Sequence, residues 1–180
     1  MTQQVQTDDA PPTTSKRGPK DAGVARAVTI NRPPAEVYAH FRDFAKLPTF
    51  MENVVRIDVL DDKRSHWVVK APAGGTVEWD ARVTHEEPGK LLAWTSEKGA
   101  DVPNSGHVEF RDAGPRGTVV TATITYDPPG GVIGKVIAKM FQREPAIQAR
   151  RDLRRLKQLL ETGEIATAAM TRAQHEKEDG

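Results

Sequence analysis

The hydrophobic period of this chain changes once, at Asp127-Pro-Pro-Gly-Gly131. Just before that break Val120, Ala122, Ile124 and Tyr126 alternate with Thr121, Thr123 and Thr125. After it the spacing becomes three and four: Val136, Ile137, Met140 and Phe141 form one stripe, and Leu153, Leu156 and Leu160 form a later one. A period of two puts successive side chains on opposite faces of a strand, whereas a period of about 3.6 gathers them along one side of a helix. A sheet with one apolar face and a helix with one apolar stripe bury both by packing on each other. The expected class is therefore α+β, with a long C-terminal helix across an antiparallel sheet.

The strands are expected in seven runs. Val24-Ala-Arg-Ala-Val-Thr-Ile30 is the first. Val55, Ile57 and Val59 alternate with Arg56, Asp58 and Leu60 in the next, and Trp67, Val69 and Ala71 mark a third beyond the Asp61-Asp62-Lys63 turn. Val77-Glu-Trp-Asp-Ala-Arg-Val83 is the clearest, with apolar residues at odd positions and charges at even ones, the signature of one buried and one wet face. Leu92, Trp94 and Ser96 share a face of the fifth, Val108 and Phe110 belong to the sixth, and residues 120–126 make the seventh. Turn residues recur every 8–15 positions, as hairpin neighbours require. Between the first two strands, Val37, Phe41 and Phe44 predict a helix over residues 35–44 entered through Pro33 and Pro34, and residues 49–53 predict a second short helix carrying Phe50 and Met51. Pro145 is expected to kink or split the C-terminal helix over residues 132–160, and Gly163 to stop it. Arg150, Arg151, Arg154, Arg155 and Lys157 are expected on its outward face.

Residues 1–22 hold almost no large apolar side chain and cannot offset their ordering entropy, so they read as a disordered tail. Residues 23–162 form the expected domain, and residues 163–180 a flexible polar tail. With 26 basic and 25 acidic residues the chain lacks the basic excess of a nucleic-acid binder. It contains no cysteine, which excludes disulfides, thiolate nucleophiles and Cys-based zinc sites. No apolar run approaches the roughly 20 residues that span a bilayer. Residues 1–9 lack the apolar stretch of a secretory leader, so the expected location is cytoplasmic.

Several short motifs then fall in a familiar order. Pro33-Pro34-Ala35-Glu36-Val37-Tyr38 opens the first helix. Phe44-Ala-Lys-Leu-Pro48 follows, with Asp43 before it. Leu92-Ala-Trp94-Thr-Ser96, Gly106-His-Val108-Glu-Phe110, Gly117-Thr118 and Tyr126-Asp-Pro-Pro-Gly130 come next, and Asp152-Leu-Arg-Arg-Leu-Lys157 with Glu161 closes the series. Together, over residues 24–162, they resemble the START/Bet v1-like (SRPBCC) superfamily, in its polyketide cyclase/dehydrase and coenzyme Q-binding-like branch. The resemblance implies a helix-grip fold: a curved seven-stranded antiparallel sheet, two short helices, and a long C-terminal helix across the sheet. It also implies a cavity between sheet and helix, which relatives use for lipids, sterols, quinones, plant hormones or polyketide intermediates.

On that reading Trp67, Trp79, Trp94, Phe110 and Tyr126 lie on the inner face and line an apolar pocket, with indole N–H groups and the Tyr hydroxyl as polar handles. Val136, Ile137, Met140 and Phe141 supply the helix wall. The aromatic set serves equally well as core packing, and for the helix wall core packing is the stronger reading. No cofactor and no metal is expected: the five histidines show no ligand spacing, and His85-Glu-Glu87 is not a metalloprotease motif. Gly130-Gly-Val-Ile-Gly134-Lys135 fails as a phosphate loop, having three residues between its outer glycines and Val136 after the lysine. Glu78, Asp80 and Arg82 read as a solvated strand face. The expected function is a carrier or sensor of a small hydrophobic ligand. The alternatives are a cyclase or dehydratase acting on a polyketide-like substrate, for which Tyr126 is the best candidate for the inward acid or base, and a protein-interaction module.

Overall fold

The computed structural model describes residues 24–71, 74–126 and 145–166. The expected N-terminal tail, most of the C-terminal one, the Gly130-Gly131 turn and the stripe of Val136, Ile137, Met140 and Phe141 lie outside the described residues.

Seven strands form one antiparallel sheet: β1 (Val24–Ile30), β2 (Val54–Val59), β3 (Arg64–Lys70), β4 (Thr76–Glu87), β5 (Leu91–Ser96), β6 (Asn104–Asp112) and β7 (Thr118–Tyr126). Their order across the sheet is β1-β7-β6-β5-β4-β3-β2. Every neighbour from β2 to β7 is a hairpin partner, and β1 closes on β7 from Val24↔Ile124 to Ile30↔Thr118. The curled sheet is gripped by α1 (Pro34–Arg42) and by α2 (Pro145–Thr162). Proline at the first position of α1 leaves no donor unsatisfied, since that N–H has no intrahelical partner.

The second short helix differs from expectation. A 3-10 turn runs over Phe44–Thr49, upstream of residues 49–53, and Pro48 lies inside it. A 3-10 turn this short asks few N–H groups to bond, so the donor that Pro48 lacks is not missed. Phe44, Leu47 and Phe50 are buried by it.

The alternation predicted for β4 holds at Val77, Ala81 and Val83, which are buried, and at Glu78 and Arg82, which are exposed. In β2 it does not. Val55 and Val59 are 47% and 55% exposed, and only Ile57 of the three is buried. A bulge between Val54 and Arg56 makes Val55 an extra residue against β3, so Val54 rather than Val55 turns inward. Val59 and Leu60, beside the β2–β3 turn, run out past the core.

On α2, Leu153 and Leu156 are buried and Leu159 and Leu160 pack against the core. Pro145 begins the described helix. Gly163, at φ 79°, ends it with its N–H on the Leu159 carbonyl at 2.9 Å. The basic residues divide. Arg150, Arg151 and Arg154 are exposed. Arg155 and Lys157, expected outward, are instead partly buried and tie the helix to the domain: Arg155 Nε donates to Phe50 O at 3.0 Å, and Lys157 Nζ to Thr29 O at 2.6 Å. Their stems are long enough to cross the helix flank and reach these backbone carbonyls. Among the described residues no helix is long and apolar enough to cross a membrane.

Candidate functional site

Between the sheet and the first turns of α2 lies a cavity of about 250 Å³. The sheet contributes Val54, Trp67, Val69, Trp79, Trp94, Asn104, Ile124 and Tyr126; Met51 and Asn53 come from the segment before β2, and Gln148, Ala149 and Asp152 from α2. Strand pairing brings the tryptophans together. Trp67 stands directly opposite Trp79 across β3 and β4, and their rings stack at 6.2 Å with planes 8° apart. Trp94 stands opposite Gly106 on β6. A Cβ at Gly106 would lie 2.7 Å from the Trp94 ring and 2.4 Å from Thr123 O, so the missing side chain is what lets the indole lie against the sheet.

Four of the five aromatic residues singled out from the sequence thus line the cavity. Phe110 is elsewhere: it is buried beneath α1, edge-on to Tyr38 at 5.5 Å and to Phe41 at 5.9 Å. Trp67 and Trp94 also border a second apolar void of about 30 Å³ toward Phe41, Phe44 and Leu47. Two of the three indole N–H groups are not free handles. Trp67 Nε1 donates to Ser65 Oγ at 2.9 Å, and Trp94 Nε1 to Asn104 Oδ1 at 3.2 Å.

Asp152 is the residue that sequence reasoning passed over. It accepts from Gln148 Nε2 at 2.8 Å and from the backbone N–H of Glu52 at 3.3 Å, both on Oδ1. Desolvation outweighs these bonds and the pull of Arg155, pushing its carboxyl up to about 6. Tyr126 is pushed up to about 12, first by burial and then by the negative charge of Asp152. The signal was present: Asp152 lies four residues before Leu156 and one before Leu153, which puts an acid on the inward stripe. It was masked by Arg150, Arg151, Arg154 and Arg155 around it, among which one more charged residue reads as part of the solvated face.

A second polar cluster lies away from the cavity. A bulge between Val83 and His85 adds Thr84 to β4 and turns Glu86 onto the inner face, opposite Leu92. There its carboxylate accepts from the Tyr38 hydroxyl and from Arg42 Nε, the latter at 2.7 Å. Burial and this carboxylate push Tyr38 up to about 12. The cluster fastens α1 to the sheet and leaves no group directed at the cavity. Among the described residues no set of three His, Asp or Glu side chains gathers to hold a metal.

A curled seven-stranded antiparallel sheet gripping a C-terminal helix, with a cavity between them, defines a helix-grip protein of the START type. The chain belongs to the family described as polyketide cyclase/dehydrase and lipid transport, whose model matches residues 21–161. It is 30% identical over 139 residues to an uncharacterised 17.2 kDa protein of Streptomyces lincolnensis, covering 77% of this chain and 89% of that one. A protein of known structure from Deinococcus radiodurans is 44% identical, with a TM-score of 0.65 over 79% of this chain and 99% of its own. An aromatase/cyclase from a Streptomyces species shares the fold at 13% identity, with a TM-score of 0.64 over 81% of this chain and 99% of its own.

Proposed function

We propose that this protein binds one small, largely apolar molecule between the sheet and α2, as a carrier or sensor. The observation that carries the reading is the cavity of about 250 Å³ walled by Trp67, Trp79, Trp94 and Tyr126. A void of that size holds several waters at least, yet most of its wall offers them no partner, which favours an organic occupant. The lipid-transport element of the family description points the same way. The volume lies just below the roughly 300–1,000 Å³ usual for drug-sized ligands, so the occupant is compact.

The test is native mass spectrometry of the full chain purified gently from the host that encodes it. One molecule of a small organic compound per chain is expected, released on denaturation. Trp79→Ala, which removes one face of the stacked pair, should reduce its occupancy. A chain that arrives empty and takes up nothing from a host lipid extract overturns the reading.

A catalytic reading, cyclisation or dehydration of a polyketide-like substrate, is favoured by one observation: Asp152, held near 6, stands beside Tyr126 in the cavity. A carboxyl poised there exchanges a proton at neutral pH. Dehydration would show in the spectra as a released compound lighter by one water than the one supplied, and cyclisation alone as an isomer of unchanged mass with a different chromatographic retention. A protein-interaction role has less behind it: among the described residues the exposed large apolar side chains are Val55, Val59 and Leu60, which fall far short of the roughly 800 Å² per partner of a stable interface.

A further inference from the structure

The polar groups around the cavity are unequally spent. The Trp67 and Trp94 N–H groups are committed to Ser65 and Asn104. Asn104 Nδ2 donates to Val102 O at 2.9 Å, and Gln148 Nε2 to Asp152. These donors face protein acceptors rather than the void. Beside these, the described wall carries aromatic rings, the Asn53 amide and a carboxylate whose hydrogen bonds from Gln148 and Glu52 both fall on Oδ1. Among the described residues lining the cavity there is no lysine, arginine or histidine.

Rings and carboxylate act in the same sense. An aromatic face carries the negative end of the ring quadrupole and attracts a cation within about 6 Å of its centre, most strongly where water is excluded. A partly buried carboxylate without an equal counter-charge adds a negative potential undiluted by solvent. The charged neighbours of Asp152 do not cancel it. The Arg155 guanidinium favours its ionised form, but that side chain is held at Phe50 O, and the Glu52 carboxylate works against it. On the sheet side it faces the hydroxyl of Tyr126.

We propose that the ligand is an organic cation, a quaternary ammonium or protonated amine on an apolar body, with its charge against Asp152 and its body among Trp67, Trp79 and Trp94. This rests on the reading of the cavity as a ligand site. It narrows that reading from any compact apolar molecule to one that brings a positive charge to Asp152.

The experiment compares two probes of equal shape on the full chain, followed by tryptophan fluorescence. One is benzyltrimethylammonium; the other is neopentylbenzene, which has carbon in place of the charged nitrogen. Well above the titration of Asp152 the cation is expected to bind at least about tenfold tighter. The preference should fade in the wild-type chain as pH is lowered through about 6. Asp152→Asn should remove it at all pH values while neopentylbenzene still binds. Equal or tighter binding of neopentylbenzene to the wild-type chain above that pH overturns the cation proposal and leaves the apolar cavity standing. Failure of both probes to perturb the tryptophans overturns the two together.

Discussion

Gly106 has no side chain because Trp94 occupies the space a side chain would take. The two are paired across β5 and β6, and an added methyl would lie 2.7 and 2.9 Å from the indole. The same methyl would lie 2.4 Å from Thr123 O, so neither neighbour can yield alone. Gly106→Ala is expected to destabilise the domain by about 1–3 kcal/mol and to push the indole toward the cavity. Thermal unfolding reads the first effect. A changed tryptophan emission and weaker ligand uptake read the second, and a merely local strain would leave ligand uptake unchanged. The tryptophans themselves were legible in the sequence, since strand alternation fixed the face of Trp67, Trp79 and Trp94. Their N–H partners were not. Ser65 is two residues from Trp67, but Asn104 reaches Trp94 from the next strand, and only the folded register brings that amide within 3.2 Å.

Elements were legible where their period ran unbroken and illegible where one residue interrupted it. β4 alternates cleanly as far as Val83, and the structure follows. The next residue, the extra Thr84, reverses the phase, and Glu86, which plain counting puts on the wet face, turns inward to join Tyr38 and Arg42. A bulge has no signature in polarity alone, so Val55 was assigned the place Val54 holds. On α2 the stripe of leucines was read correctly, while the inward course of Arg155 and Lys157 depends on carbonyls contributed by Phe50 and Thr29 far away in the chain. Leu156 is fully buried where α2 meets the core, and Leu156→Ala should cost about 2–5 kcal/mol in chemical denaturation. Leu160, less completely buried, should cost less on the same substitution. Equal losses at the two positions would mean that α2 is not anchored through its middle.

At the scale of the whole molecule, the site leaves a mark on stability. The Asp152 carboxyl, with an ordinary value of 3.8, is pushed up to about 6 in the folded chain. It therefore holds its proton more readily folded than unfolded, and folding is favoured when it is protonated. Its contribution is greatest below about 4 and is lost as pH rises through about 6. Glu86 and Glu161 act the other way. Both are held below the usual carboxylate range, Glu86 chiefly through its hydrogen bond from Tyr38, and Glu161 through bonds from Asn31 and Lys157 that overcome its burial. Their contribution is present above the ordinary value of 4.5 and lost as pH falls through their lower folded values. His66, raised by Asp80 and Glu78 on the outer face, adds stability that is lost as pH rises above 6.5. The raw pH profile mixes all of these, so the informative quantity is the difference between wild type and Asp152→Asn, in which the other groups cancel. The wild-type chain should lose melting temperature relative to the variant between about 4 and 6, and the two curves should run parallel outside that interval. Parallel curves throughout would mean that Asp152 is solvated and the cavity open to water. A bound cation should reverse the sign of the difference above about 6, because the charge that burdens the empty cavity is then the charge that holds the ligand. An ionisable group that weakens the empty fold and strengthens the filled one is what links the stability of this protein to its occupancy.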